Sequence, residues 1–279
     1  MLRTQALLGA ALLCAASATA VAAQDWRDFA SSRVRTQERS LDVEVRYGAG
    51  RVQLRPATGS VLYRVQLRYD ADTFTPVASY RSGRLEVGVD GRGNSIDLKG
   101  DSQGALDLEL ARGVPIDLDL EMGAVRSELE LGGLSLTTLD LKTGASETVV
   151  RVGEPNPVEA GSVSVQVGAA DFRFEGMGNL NAERMEVHAG IGDVTLDLDG
   201  RWRRDARLSV EMGLGSLELR IPPGLGVEIE QDSFLTGMDA ESLERRDGRW
   251  VTPDFDRAER RIRISIEAAF GRIRVVPTR

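Results

Sequence analysis

Apolar and polar residues alternate along most of this chain, in many short stretches. In Leu196–Asp199 and again in Ser216–Arg220, every second residue is apolar. A period of two is typical of β-strands that bury one face. No window of helical length between residues 41 and 276 keeps apolar residues at helical spacing, so the pattern predicts a nearly all-β protein.

One phrase recurs seven times: an apolar residue, a polar one, any residue, Gly, two small residues, and then polar and apolar residues in alternation. The copies begin at Val45, Leu120, Leu141, Val165, Val187, Val210 and Ile266. The fourth position is Ala269 in the last copy and a glycine in the others: Gly48, Gly123, Gly144, Gly168, Gly190 and Gly213. From Gly123 to Gly213 the intervals are 21, 24, 22 and 23 residues, which indicates a structural repeat.

Each repeat supplies about two short strands and two bends, with turn residues such as Glu154–Pro157 between the phrases. A unit of this size cannot bury a face alone, but stacked copies share a continuous core. Successive coils would lie about 4.8 Å apart, which leaves little room for a Cβ at the bend. The repeat therefore predicts a β-solenoid, similar to a parallel β-helix, with its glycines in columns. Hairpins with Gly-x-Gly turns are the alternative.

The first part of the chain, Leu41–Leu110, alternates without the period, and antiparallel strands are expected there. The alternating stretches are Val43–Val45, Val61–Tyr69, Leu85–Val89 and Ile96–Leu98. Both ends of a solenoid expose strand edges that need cover. We expect the irregular first part and the charged segment Asp254–Arg263 to cap the ends, with residues 256–261 either a short helical turn or an extended lead-in.

The first 23 residues have the layout of a secretory signal peptide, with Arg3, an uncharged stretch and small residues up to Ala23. Cleavage near Ala23 is the prediction, and a retained anchor helix is the alternative. Lipidation at Cys14 is disfavoured because Leu13 precedes it. We therefore divide the chain into a signal peptide (1–23), an N-terminal extension (24–40) and one elongated β domain (41–279). That domain has an irregular part (41–105) and a repeat solenoid (106–276).

Composition excludes several classes of protein. The formal net charge of the 279 residues is -8, which argues against nucleic acid as a partner. Cys14 is the only cysteine and His188 the only histidine, so zinc-finger and iron–sulfur ligation are excluded. After cleavage the chain has no cysteine and no further stretch of 18 apolar residues, so we expect neither a disulfide nor a transmembrane segment.

These phrases together resemble the bacterial toast-rack domain from about residue 106 to residue 276. The stretches that carry the resemblance are GVPIDLDLEMGAV from Gly113, LDLKTGASE from Leu139, VGEPNPV from Val152, the run from Gly176 to Ala206, VEMGLGSLELRIPPGLGVEI from Val210 and the final IEAAFGRIRV. Two departures affect the bend: Ala269 replaces the first glycine, and Val125, Ser146 and Ala170 replace the second. A last coil has no further neighbour, so Ala269 is expected at the end of the stack. The family includes putative adhesins and the C-terminal part of LiaF-like stress proteins, and it implies no catalytic site.

Acidic pairs could supply chemistry on such a scaffold, because carboxylates on adjacent coils can hydrolyse polysaccharides. The pairs are Asp117/Asp119, Glu128/Glu130 and Asp197/Asp199. The favoured interpretation is that they form the solvent face of half-buried strands. Asp193, Asp197 and Asp199 do not have the nine-residue spacing of calcium-binding solenoids, so no metal site is predicted.

Other candidate residues have ordinary explanations. Ser102 lies in a G-x-S-x-G sequence, but strand-like residues follow it where a hydrolase needs a helix. His188 is expected to be exposed or paired with a carboxylate. Trp202 and Trp250 are expected to cover the core. Two basic clusters could meet an anionic polymer, although a solvated face is favoured: Arg201, Arg203 and Arg204, and Arg260, Arg261 and Arg263.

The sequence thus predicts an exported, periplasmic or secreted envelope protein that has no cofactor and acts without catalysis. It would bind, adhere or give structure through a repetitive β surface, with an envelope protein or polymer as partner and room for a homo-oligomer. The alternatives are a polysaccharide-active β-helix enzyme and an oligomerising component of an envelope stress response.

Overall fold

The structure is a computed structural model that describes residues 25–91 and 104–278. The predicted signal peptide with Cys14, the predicted strand Ile96–Leu98 and Ser102 lie outside the described residues. Within them the chain forms strands and two short 3₁₀ helices, Met177–Leu180 and Phe255–Arg257, and no α-helix. The predicted all-β class is therefore confirmed.

The strands are numbered along the chain. They are β1 (Trp26–Val34), β2 (Leu41–Pro56), β3 (Val61–Asp70), β4 (Phe74–Arg81), β5 (Arg84–Gly91), β6 (Ala105–Leu110), β7 (Pro115–Glu130), β8 (Ser135–Arg151), β9 (Ser162–Glu175), β10 (Arg184–Asp197), β11 (Ala206–Ile221), β12 (Leu225–Asp239), β13 (Glu244–Arg246), β14 (Arg249–Val251) and β15 (Arg260–Pro277).

Eight long strands, which we call rungs, lie side by side and parallel in the order β2, β7, β8, β9, β10, β11, β15, β12. Each rung is bent near its middle. In β10, Val187 and Ala189 are buried before the bend, and Val194 and Leu196 are buried after it. Buried positions change from odd to even numbers there, which indicates an extra residue at the bend.

The bends fold the sheet along one line, the crease, into two layers around a shared core. We call the arms before the crease the first layer and those after it the second layer. At the N-terminal end, β5 and β4 continue the first layer, and β6, β3 and β1 continue the second. The rings of Tyr63 on β3 and Tyr80 on β4 meet between the layers with centroids 5.9 Å apart.

The crease is a column of glycines, as the repeat predicts. A Cβ added at Gly168 would lie 2.9 Å from the carbonyl oxygen of Gly144, and one at Gly190 would lie 2.6 Å from that of Gly168. Real Cβ atoms do not approach a backbone oxygen so closely. On β9 and β10 the stacking of neighbouring backbones at the bend therefore requires the absence of a side chain.

The second position of the bend shows two conformations. Gly192 has a φ of +141°, a backbone conformation that glycine adopts and other residues rarely do. Val125, Ser146 and Ala170 occupy the same column in β7, β8 and β9, and none of them has positive φ. The departures from glycine noted in the sequence thus mark rungs with a different bend geometry.

The expected position of the last repeat is wrong. β15 lies between β11 and β12, so Ala269 is inside the stack, opposite Gly213, and not in a final coil. The last rung is β12, which the repeated phrase does not identify. The crease accommodates a methyl group at β15, and the constraint on the glycines is tightest between β2 and β11.

The ends of the stack are covered in part as expected. The predicted antiparallel pairing of the first part is found for β1–β3, β3–β6 and β4–β5, and the extension 24–40 contributes β1 to this region. At the other end the cap is the β13–β14 hairpin, which pairs with β12. The expectation that Asp254–Arg263 forms this cap is wrong in its second half, because residues from Arg260 onward belong to the internal strand β15.

Buried asparagines join the coils at the end opposite the crease. The Asn156 side chain accepts a hydrogen bond from the backbone N–H of Leu136 (3.1 Å) and donates to the carbonyls of Leu136 (2.8 Å) and Leu180 (3.0 Å). Asn179 donates to the Val152 carbonyl in the same way, at 2.8 Å. These amides hydrogen-bond backbone groups of three successive coils, both at the start of β8 and in the connections between strands.

The crease predicts a sharp difference between two glycines of one column. Gly190→Ala places a methyl group against the Gly168 carbonyl and should lower the free energy of unfolding by about 1–3 kcal/mol. Gly48→Ala meets nothing within 4 Å and should leave stability unchanged or raise it by up to about 1 kcal/mol. Urea unfolding midpoints measure both, and equal midpoints would contradict the stacked crease.

The asparagine contacts predict a second effect. Asn156→Ala removes three hydrogen bonds from buried backbone groups and should cost about 2–4 kcal/mol of unfolding free energy. Asn156→Asp keeps the shape but cannot donate when ionised, so its loss should be smaller at pH 3, where the acid can donate, than at pH 7. If Asn156→Ala were as stable as the wild type in urea at pH 7, the hydrogen bonds of the amide would not stabilise the contact between coils.

Candidate functional site

The glycine column leaves a groove on the outer surface of the first layer, because the outward positions at the crease have no side chains. The groove has a volume of about 990 Å³ and is open to solvent along its length. Its floor includes Gly144, Gly168, Gly190 and Gly213, and it extends from β7 to β12. It thus crosses seven rungs.

One wall of the groove is a column of polar side chains two residues before the glycines. In strand order from β7 to β12 the wall consists of Glu121, Lys142, Gln166, His188, Glu211, Glu267 and Asp232. Nδ1 of His188 lies 2.9 Å from a carboxylate oxygen of Glu211, which confirms the predicted pairing of this histidine with a carboxylate. The wall is acidic over β11, β15 and β12.

An apolar ridge follows the crease one residue beyond the glycine column. Ile191, Leu214 and Phe270 lie in register on β10, β11 and β15, and they are 57%, 49% and 48% exposed. Exposed apolar side chains in a row are unusual on a soluble surface and often mark a contact site. The repeated phrase alone did not predict this ridge. Its signal was a large apolar residue beside the second glycine of the phrase.

The acidic pairs do not converge. Asp117 and Asp119 face outward from the first layer, whereas Glu128, Glu130, Asp197 and Asp199 belong to the second layer or its loops. Asp117 accepts hydrogen bonds from the hydroxyls of Thr137 and Thr138, each at 2.7 Å. The three pairs therefore form no common site.

Most carboxylates near these pairs have cationic partners. Arg84 pairs with Asp42, Glu44 and Glu86 on the first layer. On the second layer Arg151 pairs with Glu175 at 3.1 Å. Among the described residues, no group of three or more His, Cys, Asp or Glu side chains could hold a metal ion.

Two carboxyl groups of the predicted pairs have raised pKa values. Burial raises the pKa of Asp119, and the nearby acids Asp140 and Glu44 add to this effect while Lys142 opposes it. Burial also raises the pKa of Asp197, against the opposing effects of the Asp199 backbone N–H and Arg220. Asp119 and Asp197 lie on different layers, so neither provides a partner for the other in acid–base chemistry.

The remaining candidates are structural. Trp202 and Trp250 pack against the core as predicted, and the indole N–H of Trp202 donates to the Leu198 carbonyl at 2.8 Å. In the basic clusters, Arg204 pairs with Glu159, and Arg263 pairs with Glu228 at 3.3 Å. In the part of the chain that the structure describes, no helix has the length and hydropathy needed to cross a membrane.

The family model for the N-terminal domain of toast_rack, DUF2154, matches residues 22–175 and, again, residues 160–220. The chain belongs to this family. The resemblance expected from the repeats is confirmed, but the match begins near residue 22, so it includes the irregular first part of this toast-rack protein. No curated protein matches the sequence.

Solved structures with a similar course of the chain include three that cover about nine-tenths of this protein. A putative cell adhesion protein from Clostridium sporogenes ATCC 15579 has 14% identity and a TM-score of 0.48, with 91% of this chain and 100% of that chain covered. A putative adhesin from Bacteroides fragilis NCTC 9343 has 12% identity and a TM-score of 0.38, with 90% and 97% covered. A putative lipid binding protein from Parabacteroides distasonis ATCC 8503 has 8% identity and a TM-score of 0.39, with 91% and 98% covered. All three TM-scores are below 0.5.

The raised pKa of Asp119 predicts a pH-dependent gain in stability. A carboxyl whose folded pKa is raised favours the folded state at low pH, and this contribution is lost as the pH rises from about 3.8 through the folded pKa. Asp119→Asn should therefore raise the urea midpoint at pH 7 and leave it unchanged at pH 3. Glu128→Gln, on the same strand in the other layer, is the control and should not show this gain. A lower midpoint for Asp119→Asn at pH 7 would contradict the desolvation of this carboxyl.

Proposed function

We propose that this toast-rack protein is an exported, non-catalytic module of the cell envelope that binds an extended partner along the crease. The observation that carries the proposal is the groove over the glycine column, with its polar wall and the apolar ridge beyond its floor. The groove and its polar wall continue over seven rungs, and the apolar ridge runs beside them on β10, β11 and β15, so the surface repeats along the stack.

The dimensions of the groove favour an extended partner over a small compound. Small-molecule sites are usually concave and enclose most of the ligand. This groove is shallow, and its seven rungs span six steps of about 4.8 Å, or about 29 Å. A peptide segment or a polymer chain can repeat its contacts over that length, as in other repeat proteins with extended binding surfaces.

The chemistry of the groove favours binding over catalysis. Its wall includes Lys142, Gln166 and His188 between acidic side chains, and His188 already pairs with Glu211. The acidic pairs that an enzyme on this scaffold would need lie on separate layers. An envelope protein or polymer that combines apolar groups with cationic or hydrogen-bonding groups fits these features.

The N-terminal segment that precedes the β domain supports export. Residues 1–23 have the pattern of a signal peptide, and the family match begins at residue 22. The chain after residue 23 has no cysteine, so it carries no thiol that an oxidising compartment could oxidise. Both features support a location in the periplasm or outside the cell.

Site-specific photo-crosslinking in cells that produce the full chain tests the proposal. A photoreactive side chain at Gln166, in the middle of the wall, should form adducts with an envelope protein or polymer. The same group at Thr195, on the outer surface of the second layer, should form few. Mass spectrometry identifies the adducts in the envelope fraction. Equal adducts at both positions, or a polysaccharide that the purified protein shortens, would refute the binding role.

A further inference from the structure

The apolar ridge lies beside the part of the wall that becomes acidic. On each of three adjacent rungs, a wall residue and a ridge residue lie three positions apart in the chain. These pairs are His188 and Ile191 on β10, Glu211 and Leu214 on β11, and Glu267 and Phe270 on β15. Asp232 continues the wall on β12. The same short section of the crease therefore presents apolar side chains and carboxylates together.

The carboxylates of this section are poorly neutralised within the chain. Glu211 lies beside His188, whereas no cation pairs with Glu267 or Asp232 among the described residues. Glu211, Glu267 and Asp232 also lie directly opposite one another on adjacent strands, an arrangement in which like charges repel. A cationic partner on the wall would relieve this repulsion.

The other side of the ridge is acidic as well. A further outward column, which we call the far column, lies two residues beyond the ridge in each rung. Its members on β9 and β10 are Asp171 and Asp193, which lie opposite each other. Asp193 accepts a hydrogen bond from the Ser216 hydroxyl, and within the described part of the chain neither carboxylate has a cationic partner. The far-column residue on β15 is Arg272, so this acidic flank ends before that rung.

We propose that the ridge and its flanks bind a cationic amphipathic α-helix of a partner polypeptide, with the helix axis along the crease. This inference rests on the proposed binding function and names the chemistry of the partner. The apolar stripe of the helix covers Ile191, Leu214 and Phe270. Lysines or arginines beside the stripe meet the wall carboxylates on one side and Asp193 on the other. The groove accommodates the helix, because glycines form most of its floor.

The spacing of the rungs favours a helix over an extended chain. Adjacent rungs are about 4.8 Å apart, so Ile191 and Phe270, two rungs apart, are separated by about 9.6 Å along the crease. Apolar residues at i, i+4 and i+7 of a helix span about 10.5 Å, at 1.5 Å per residue. Three alternate residues of an extended chain span about 13 Å. The helix therefore matches the ridge to within about 1 Å, whereas the extended chain misses it by about 4 Å.

Other partners fit this section of the crease less well. The carboxylates on both flanks would repel an anionic polymer or an anionic lipid surface. A polysaccharide commonly stacks on a row of aromatic rings, and Phe270 is the one aromatic residue of the ridge. A polypeptide that combines apolar and cationic side chains satisfies both the ridge and its flanks.

Synthetic peptides test the chemistry of the partner, with protein purified from cells that express the full chain. The probe is a fluorescent peptide of about 14 leucine and lysine residues, with the leucines at helical spacing, which is about 21 Å long as a helix. Fluorescence anisotropy should give a dissociation constant of about 10 µM. Two control peptides should bind at least about 10-fold more weakly. One has two central residues changed to proline, which interrupts the helix, and the other has glutamate in place of lysine.

Variants of the protein locate the site. Leu214→Asn and Glu267→Lys should each weaken binding of the leucine–lysine peptide by about 5- to 10-fold, because the first removes an apolar contact and the second reverses a charge. Glu267→Lys should also strengthen binding of the leucine–glutamate peptide. Val34→Asn changes a similarly exposed apolar residue on the edge strand β1, so it is the matched control and should leave binding unchanged. Circular dichroism shows whether each variant has folded.

Three results would overturn the inference. The first is equal binding of the helical and the proline-containing peptides, and the second is tighter binding of the leucine–glutamate peptide to the wild type. The third is a wild-type dimer that Leu214→Asn dissociates in sedimentation equilibrium, because a second copy would then cover the ridge.

The outcome is separable from that of the proposed function. If a photoreactive group at Gln166 forms adducts in cells while the leucine–lysine peptide does not bind the purified protein, the inference about the helix fails and the proposed function stands. If the peptide binds through Leu214 and Glu267 while adducts at Gln166 and Thr195 are equal in cells, the proposed function fails and the chemistry of the ridge stands.

Discussion

The close approach of neighbouring backbones at the crease is the constraint on which the rest of this structure depends. At Gly168 and Gly190 a single added carbon atom would collide with the carbonyl of the adjacent rung. Without that approach the rungs could not bend in register, and the two arms of each strand could not turn their apolar residues to one core. The chain has no cysteine after residue 23, so packing and backbone hydrogen bonds must maintain the stack.

The same constraint shapes the surface. Removal of side chains at the crease produces the groove, and strict register arranges the outward residues in columns. Each outward side chain therefore lies beside the equivalent side chains of the adjacent rungs, as His188 lies beside Glu211. The ridge of Ile191, Leu214 and Phe270 is a product of this register, and so is the proposed binding surface beside it.

Much of this architecture could be predicted from local patterns, and the remainder depends on contacts between distant residues. Alternation indicated the strands, and recurring glycines indicated the crease, because both are local signals. The insertion of β15 between β11 and β12 was missed, since alternation does not specify which rungs are neighbours. β12 was missed because it lacks the glycine phrase. Asn156 was assigned to a turn, and its burial depends on Leu136 and Leu180 in the adjacent coils. The groove and the ridge required the register, which sequence spacing alone did not provide.

Distances between spin labels test the stacking order most directly. Asp119, Ser265 and Glu230 lie in one column, on β7, β15 and β12. Labels would be attached to cysteines at residues 119 and 265, or at 119 and 230, with Cys14 replaced by serine. The stacking order predicts about 24 Å for the first pair, five rungs apart, and about 29 Å for the second, six rungs apart. A distance from residue 119 to residue 265 that exceeds the distance to residue 230 would contradict it.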